Sequence, residues 1–213
     1  MDFFELNIKL SSSKELPGGE VQKELSPPYR GEFTWEEIQE KNPRKASVLI
    51  VLYKKNNQIY FPLILRSLYE GVHSGQVGLP GGKKEEFDLR GRDTALRETR
   101  EELGLEESKM EVVKKLTPLY IPPSNFYVQS YVATYEEDKF KFNTDKTEVQ
   151  EVFEIDLSEF LFQTEVIQKD ASASRLGQTV PAFQYHDVVI WGATAMILNE
   201  FKYLLKKCNF TDF

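Results

Sequence analysis

The chain has 213 residues, enough for one well-filled domain and too few for two comfortable ones. Hydrophobic residues make up 40% of it, with fifteen Phe and ten Tyr, so a globular core is expected rather than disorder. The formal charge of −7 argues against nucleic-acid binding as the main activity, and no apolar run reaches the roughly 18 residues that cross a membrane. The single cysteine, Cys208, excludes an intramolecular disulfide and a cysteine-based zinc site. Because acids stand where a signal peptide would carry basic residues, we expect a soluble, cytoplasmic protein.

Residues 1–44 form a mixed, polar stretch with turn signals such as Pro17-Gly18-Gly19. Near its end, Thr34 precedes a Trp-Glu-Glu sequence, which predicts a short helix with Thr34 as N-cap and Glu37 completing a capping box. We interpret residues 1–44 as an N-terminal arm that packs on the core, and residues 45–213 as the main domain.

The main domain begins with a predicted β-hairpin. Residues 46–53 form an apolar, β-branched run bounded by charges, which is typical of a buried strand. Residues 59–65 are predicted to be its hairpin partner, with Pro62 indicating an edge or a bulge. A Gly-rich loop follows at residues 71–82.

Further along the chain, strands alternate with two main helices. The helices are predicted at residues 93–103, where Gly104 ends the helix, and at residues 191–207. This order indicates an α/β fold with a mixed sheet covered by helices on both faces. Four more strands are predicted, at residues 109–116, 126–134, 148–155 and 180–185.

The first of these helices carries three acids near its C-terminal end. Glu98 and Glu102 lie four residues apart and project side by side, with Glu101 flanking them. Such a like-charge pair costs about 0.2–0.5 kcal/mol on an exposed helix, and the helix dipole adds to the cost. A hard divalent cation such as Mg²⁺ or Mn²⁺ would offset this repulsion. On the carboxylates alone, a solvated acidic face remains the simpler interpretation, and Arg97 could pair with Glu101 in either case.

The sequence RETREELGL, from Arg97 to Leu105, resembles the second half of the Nudix box, REUxEExGU, in which U is a bulky aliphatic residue. Thr99 occupies one of the U positions. The first half of the box asks for Gly, five residues, Glu, seven residues and Arg. Here Asp88 follows Gly82 after five residues, and eight residues separate Asp88 from Arg97, so the role of Asp88 stays open.

The segment before the box resembles that of the coenzyme A pyrophosphatase subgroup, whose signature reads roughly LLTxRS, a short gap, HxG and FPGG. Ile64, Pro62 and Leu79 depart from it, and Gly71 stands where the subgroup usually has a second Arg. The resemblance covers roughly residues 28–205, since residues 121–124 and 190–195 also resemble later segments of the subgroup. The retained residues are Arg66, Ser67, His73, Gly75, Pro80, Gly81 and Gly82.

The resemblance implies the Nudix fold, an α/β/α sandwich with a mixed β-sheet, and an enzyme that depends on Mg²⁺ or Mn²⁺. The implied reaction cleaves the pyrophosphate bond of coenzyme A or a derivative, giving 3′,5′-ADP and 4′-phosphopantetheine or its acyl form. Glu98, Glu101 and Glu102 would be metal ligands, and with Arg97 they would be the catalytic residues, Glu101 being the candidate general base. The implied substrate-binding residues are Arg66, Ser67, His73, Gly81 and Gly82.

Several alternatives stay open at this point. The substrate could be another nucleoside diphosphate derivative, such as ADP-ribose or a dinucleotide, although the segment from Arg66 to Gly82 argues against it. A non-catalytic nucleotide-sensing Nudix module is the third possibility, and the intact acids of the box argue against that. Arg66 could instead pair with Glu70 on the surface, and His73 could be a plain surface residue. A small-molecule substrate is the expected partner, with no nucleic acid and no membrane, and a homodimer is compatible with the family.

Overall fold

The structure is a computed structural model that describes residues 3–28, 30–68, 73–137, 140–170 and 179–210. Its helices are α1 (Phe3–Ser12), α2 (Gly19–Lys23), α3 (Trp35–Glu40), α4 (Gly91–Leu103), α5 (Leu157–Gln163) and α6 (Gly192–Lys207). Its strands are β1 (Arg44–Lys55), β2 (Gln58–Arg66), β3 (Val77–Gly78), β4 (Gly81–Lys83), β5 (Met110–Lys115), β6 (Leu119–Ile121), β7 (Phe126–Tyr135), β8 (Val149–Asp156), β9 (Glu165–Asp170), β10 (Thr179–Tyr185) and β11 (Val188–Trp191). Within the described residues, no helix is both long and apolar enough to span a membrane.

One mixed sheet forms the centre of the fold. Its main path runs β3-β2-β1-β7-β5, with β1 and β7 parallel and the other neighbours antiparallel. β8 pairs with the free side of β2, while β6 pairs with β7 and β4 with β1. The strands β9, β10 and β11 form a separate antiparallel sheet. This mixed sheet confirms the predicted α/β class.

Strand β1 buries side chains on both faces of the central sheet. Ile50 and Leu52 belong to one hydrophobic core, which also contains the apolar side chains of α6. Leu49 and Val51 point to the opposite side and join a second core with Ala95 of α4. A strand covered on both faces is expected to be continuously apolar rather than alternating. The uninterrupted run at residues 46–53 is explained by this double burial.

The strands β1 and β2 pair only near their hairpin end and then separate. Residues 53–55 of β1 pair with residues 58–60 of β2, but further along β2 the partner is β3, at Ile64 and Leu65. The first half of β1 pairs instead with β4, at residues 46–48. The opening between β1 and β2 thus admits residues 77–83 into the sheet.

Pro62 lies in the middle of β2, after the residues that pair with β1 and before the residues that pair with β3. The expected bulge is not found at this residue, but the expected edge is found locally, because residues 61–63 have no strand partner on the β1 side among the described residues. β8 pairs along the other side of β2, with Pro62 opposite Glu154, and the register shift falls later, between Leu65 and Arg66. Proline is tolerated inside this sheet because β2 has already left β1 there, so no partner in the described residues requires its missing N–H on that side.

The predicted helices and strands are confirmed with small shifts at their ends. The helix expected at residues 93–103 starts two residues earlier, at Gly91, and ends at Gly104 in the left-handed conformation with φ 72°. The capping box at Thr34 and Glu37 is present. Part of the glycine-rich loop, including Gly71, lies outside the described residues. The elements that the sequence did not indicate are α1, α2, α5, β3, β4, β6, β9 and β11, and β3 and β4 fall where a glycine-rich loop was expected.

The N-terminal helices share the core that contains α6. Leu6 and Leu10 of α1 are fully buried there, together with Leu25 just after α2. Gln22 donates a hydrogen bond to the buried carboxylate of Glu200 at 2.7 Å, which ties α2 to α6. The early residues therefore contribute to the hydrophobic core, while the division of the chain at residue 44 stays a prediction.

Leu10→Ala should lower the free energy of unfolding by about 2–5 kcal/mol, because a fully buried leucine loses its contacts and leaves a cavity. Phe4→Ala is the matched control on the same helix. Since Phe4 is 74% exposed, its replacement should change the stability by less than about 0.5 kcal/mol. Urea unfolding followed by tryptophan fluorescence measures both values, and two equally small effects would show that α1 does not share the core.

Candidate active site

Arg97 on α4 joins the acidic residues at the outer side of the site. Its Nε and Nη2 donate to the two carboxylate oxygens of Asp88 at 3.1 and 3.0 Å. Its Nη1 donates to Glu98 at 2.8 Å and to Glu101 at 2.9 Å. The Arg97 side chain is only 11% exposed, so these charge-assisted bonds lie largely out of water. The hydrogen bond from Arg97 is the main reason that the pKa of Asp88 falls to about 2.

Asp88 is therefore the partner that fixes the orientation of Arg97. The sequence left its role open, because it is one residue too far from Arg97 and an Asp in place of Glu. The extra residue falls after Asp88, yet the two side chains still meet, and Asp88 Oδ2 also accepts the Glu85 N–H at 2.9 Å. The buried carboxylate of Asp88 therefore accepts hydrogen bonds from two partners, Arg97 and the Glu85 N–H.

Glu102 is fully buried, although its helical position had placed it on an acidic outer face with Glu98. One of its carboxylate oxygens accepts the Gly81 N–H at 2.7 Å, and the other accepts Nη1 of Arg66 at 3.2 Å. The pKa of Glu102 is raised to about 7, mainly by burial and also by the nearby charge of Glu98, while Arg66 and the Gly81 N–H act in the opposite direction. The effect of burial on the pKa of Glu102 is thus larger than the opposite effects of Arg66 and the Gly81 N–H together.

The segment between β3 and α4 approaches its neighbours so closely that two positions require glycine. Gly81 has φ 143°, and a Cβ built on it would lie 2.3 Å from the carbonyl oxygen of Ser47. A Cβ on Gly82 would lie 2.4 Å from a carboxylate oxygen of Glu98. The double glycine therefore lets the backbone of this segment lie directly against the carboxylates of α4.

A third carboxylate, that of Glu148, lies beside Glu98 and Glu102. One oxygen atom from each of the three residues falls within 4.8 Å of the others. Glu148 immediately precedes β8, and its carbonyl accepts the Ser67 N–H at 2.9 Å. No spacing rule connects residue 148 with the helix, so Glu148 could not be predicted from the sequence. Only the pairing of β2 with β8 brings Glu148 to this place.

Glu101 is not a member of this group of three. Its carboxylate is 45% exposed and forms ion pairs with Arg97 at 2.9 Å and with Arg100 at 3.1 Å. The structure thus brings Glu98 and Glu102 together as predicted and adds Glu148, with Glu101 on the outer side of Arg97. A metal-ligand role for Glu101 stays a prediction.

The group of Glu98, Glu102 and Glu148 fits a hard divalent cation. Ligand oxygens at 2.0–2.6 Å from one ion lie at most about 4–5 Å apart, which matches their spacing. The pKa of Glu98, like that of Glu102, is raised by burial and by the neighbouring carboxylates, including Glu148. Their mutual repulsion disfavours the ionised forms, so a positive ion would be bound favourably. Oxygen donors of this kind suit hard divalent ions, a class that includes Mg²⁺ and Mn²⁺.

A cavity of about 250 Å³ adjoins this group on the α6 side of the sheet. Its walls are largely apolar, with polar groups from four of the predicted substrate-binding residues, namely Arg66, His73, Gly81 and Gly82. Ser67 does not line the cavity, and its contribution is the backbone bond to Glu148. The other lining residues are Ala46, Val48, Gln76, Val77, Gly78, Leu79, Lys83, Ile121, Phe126, Val128, Ala193, Thr194 and Ile197.

Two residues of the cavity wall are held by specific polar contacts. His73 Nε2 lies 3.1 Å from the hydroxyl of Ser124, and burial lowers the pKa of His73, which favours its neutral form. Arg66 Nη2 donates to the Gly81 carbonyl at 2.8 Å, while its Nη1 pairs with Glu102. The alternative partner of Arg66, Glu70, lies outside the described residues.

Residues 43–176 match the model of the NUDIX domain family. The chain therefore belongs to the NUDIX domain family, and the resemblance drawn from the Arg97–Leu105 sequence is confirmed. A protein named mitochondrial Nudix hydrolase 15 from Arabidopsis thaliana is 35% identical over 73% of this chain and 56% of its own length. The chain thus spans just over half the length of that relative.

Two mouse relatives carry the subgroup name. The Mus musculus protein named peroxisomal coenzyme A diphosphatase NUDT7 is 33% identical over 67% of this chain and 60% of its own length. The Mus musculus protein named mitochondrial coenzyme A diphosphatase NUDT8 is 34% identical over 73% of this chain and 75% of its own length. Similarity to proteins of this subgroup is thereby confirmed. The compartments in these names are those of the relatives, and a cytoplasmic location for this chain stays a prediction.

Solved structures confirm the Nudix fold. The Nudix hydrolase RenU from M. smegmatis superimposes with a TM-score of 0.51, covering 80% of this chain and 89% of its own at 10% identity. A MutT/nudix family protein from Enterococcus faecalis gives the same TM-score over 97% of this chain and 75% of its own, at 17% identity. The expected sandwich with a mixed sheet is the architecture found.

The raised pKa of Glu102 predicts how the stability of the metal-free protein depends on pH. An unfolded Glu has a pKa of about 4.3, below the folded value of about 7, so stability that the protonated group contributes at low pH is lost as the pH rises through 7. Glu102→Gln mimics the protonated form. It should stabilise the chelator-treated protein on the order of 3 kcal/mol at pH 8 but only about 1 kcal/mol at pH 5. Glu101→Gln, on the exposed side of the same helix, should show no such gain, and urea unfolding at the two pH values tests the difference.

Proposed function

We propose that this chain is a metal-dependent Nudix hydrolase that cleaves the pyrophosphate bond of coenzyme A or its derivatives. The products would be 3′,5′-ADP and 4′-phosphopantetheine or its acyl form. The observation that carries the proposal is the group of Glu98, Glu102 and Glu148 beside a cavity lined by Arg66 and Gly82. The family membership and the names of the mouse relatives support the reaction and the substrate class.

The three carboxylates would hold Mg²⁺ or Mn²⁺ against the substrate. When bound, such an ion neutralises phosphate oxygens and lowers the pKa of water for in-line attack on phosphorus. The residues of the chain itself fix the carboxylates beforehand: Gly81 and Arg66 orient Glu102, and Arg97 orients Glu98. Pre-organised groups need no rearrangement during the reaction, which is the main source of electrostatic catalysis.

Arg97 acts as a positioning residue in this proposal. Four of its hydrogen bonds go to the carboxylates of Asp88, Glu98 and Glu101, and a fifth goes to the Lys83 carbonyl. Its guanidinium is thus fully engaged. The general-base role of Glu101 stays a prediction, because its exposed carboxylate pairs with Arg97 and Arg100 and lies outside the group of three.

The cavity would receive the remainder of the substrate. Arg66 lies between the carboxylates and the cavity, so it can stabilise Glu102 and also meet a phosphate oxygen. His73, neutral and held by Ser124, would offer a polar contact on the wall, while the double glycine permits close approach of the diphosphate to the backbone. A substrate built from a nucleotide and a flexible thiol arm matches this combination of polar and apolar walls.

The two rival functions are less well supported by the same features. A non-catalytic sensor has no need of three carboxylates that repel one another, one of them, Glu102, fully buried. ADP-ribose or a dinucleotide would use the same carboxylates, so the substrate choice depends on the cavity and on the names of the relatives.

Removal of a ligand from outside the box should weaken metal binding. Glu148→Gln should raise the dissociation constant of Mn²⁺ by about ten-fold or more, since one charged oxygen ligand is lost at a cost of at least 1.4 kcal/mol. Glu151→Gln is the matched control, because Glu151 is exposed on the adjoining strand. Calorimetric titration measures both constants.

Glu98→Gln should also abolish most turnover, and full activity of chelator-treated protein would exclude the metal-dependent reaction.

Product analysis tests the substrate. The purified protein, supplied with Mg²⁺ or Mn²⁺, should convert coenzyme A to 3′,5′-ADP and 4′-phosphopantetheine with a higher kcat/KM than ADP-ribose, dinucleotides or nucleoside triphosphates. Separation of the products by chromatography identifies the bond that is cleaved. The Glu98→Gln variant serves as the control for a contaminating hydrolase. A clear preference for ADP-ribose or a dinucleotide would assign the enzyme to the rival substrate class.

A further inference from the structure

Arg44, the exposed first residue of β1, lies beside the cavity and has no acidic partner among the described residues. Its guanidinium carbon is 4.1 Å from the ring centroid of Phe126, which forms part of the cavity wall. Its Nη2 donates to the Ser124 carbonyl at 2.9 Å. In the described parts of the chain, no carboxylate forms an ion pair with it, whereas Arg66 and Arg97 are both paired with acids.

These contacts hold the guanidinium of Arg44 in a defined orientation. Arginine has five N–H donors in a planar fork, and one nitrogen contacts the Ser124 carbonyl while the plane rests near the Phe126 ring. The remaining donors have no protein acceptor among the described residues. A guanidinium fixed in this way loses little entropy when an anion binds to the free side of the fork.

The register of the sheet places Arg44 at a definite distance from the carboxylates. Gly82, which contacts Glu98, lies opposite Ser47 of β1. Arg44 is three residues further along this strand, which corresponds to about 10 Å. Ala46, between them, forms part of the cavity wall, and so does Phe126, which pairs with Arg44. A ligand with its diphosphate at Gly82 and its nucleoside along this wall would end near Arg44.

We propose that Arg44 binds a second phosphate of the substrate, a phosphomonoester on the ribose, separate from the diphosphate that is cleaved. This inference rests on the proposed function and deepens it, because that group distinguishes coenzyme A from its dephosphorylated form. A phosphomonoester dianion forms strong charge-assisted bonds with a guanidinium, whereas a ribose hydroxyl at the same place forms a weaker one. Ser124 connects the two sides of this subsite, since its carbonyl holds Arg44 and its hydroxyl contacts His73.

The test compares coenzyme A with 3′-dephospho-coenzyme A. Arg44→Gln should reduce kcat/KM for coenzyme A by about ten-fold, the typical effect of one charge-assisted bond, and change kcat/KM for the dephosphorylated substrate by less than about two-fold. Lys45→Gln is the matched control. Lys45 is exposed and adjacent on the strand, where successive side chains point to opposite faces. Since it removes the same charge, its effect on the two substrates should be equal and small.

Binding of nucleotides without turnover separates this inference from the proposed reaction. By calorimetry, the wild-type protein should bind 3′,5′-ADP about ten-fold more tightly than 5′-AMP, and Arg44→Gln should remove the difference. If coenzyme A is not hydrolysed but this difference is found, the proposed reaction fails and the phosphate subsite stands. Equal losses by Arg44→Gln on both substrates, or no preference for 3′,5′-ADP in the wild-type protein, would overturn the subsite. Circular dichroism and thermal melting establish that both variants are folded.

Discussion

The burial of the Glu102 carboxylate is the interaction on which the rest of the site depends. It joins three segments that are distant in the chain, since α4 carries the carboxylate, Gly81 donates its N–H and Arg66 approaches from the end of β2. Removing a carboxylate from water is costly unless it is paired, and here burial outweighs the pairing because the pKa remains raised. Stability that an apolar residue would give at this position is given up, and the site gains a carboxylate held in a fixed place next to Glu98.

The separation of β1 from β2 is the geometric counterpart of this interaction. A regular hairpin would pair the two strands along their length and leave no room for the backbone of residues 77–83. Because β2 turns instead to β3 and β8, it holds β3, just ahead of the double glycine, on one side and the start of β8 on the other. Glu148 therefore reaches the carboxylates of α4 through the sheet rather than through the helix.

Local rules predicted the parts of this arrangement that are set by neighbouring residues. The side-by-side placement of Glu98 and Glu102, the end of α4 at Gly104 and the capping box at Thr34 each depend on spacings of a few residues. The sequence could not indicate that Glu102 is buried, because helical periodicity gives relative faces and not the contact with Gly81. Glu148 was missed for a similar reason, and the helix α1 was overlooked because its buried residues are few within a polar stretch.

The charges around Glu102 and Arg97 indicate which ion the site would bind. Asp88, Glu98, Glu102 and Glu148 provide four carboxylates, against which stand the guanidinium groups of Arg66 and Arg97. Glu101 lies outside this count because the exposed Arg100 also pairs with it. With all of these groups ionised, two negative charges remain, which is the charge that one divalent cation balances. Each additional phosphate would then require its own positive group, and Arg44 is a guanidinium near the cavity that no described carboxylate occupies.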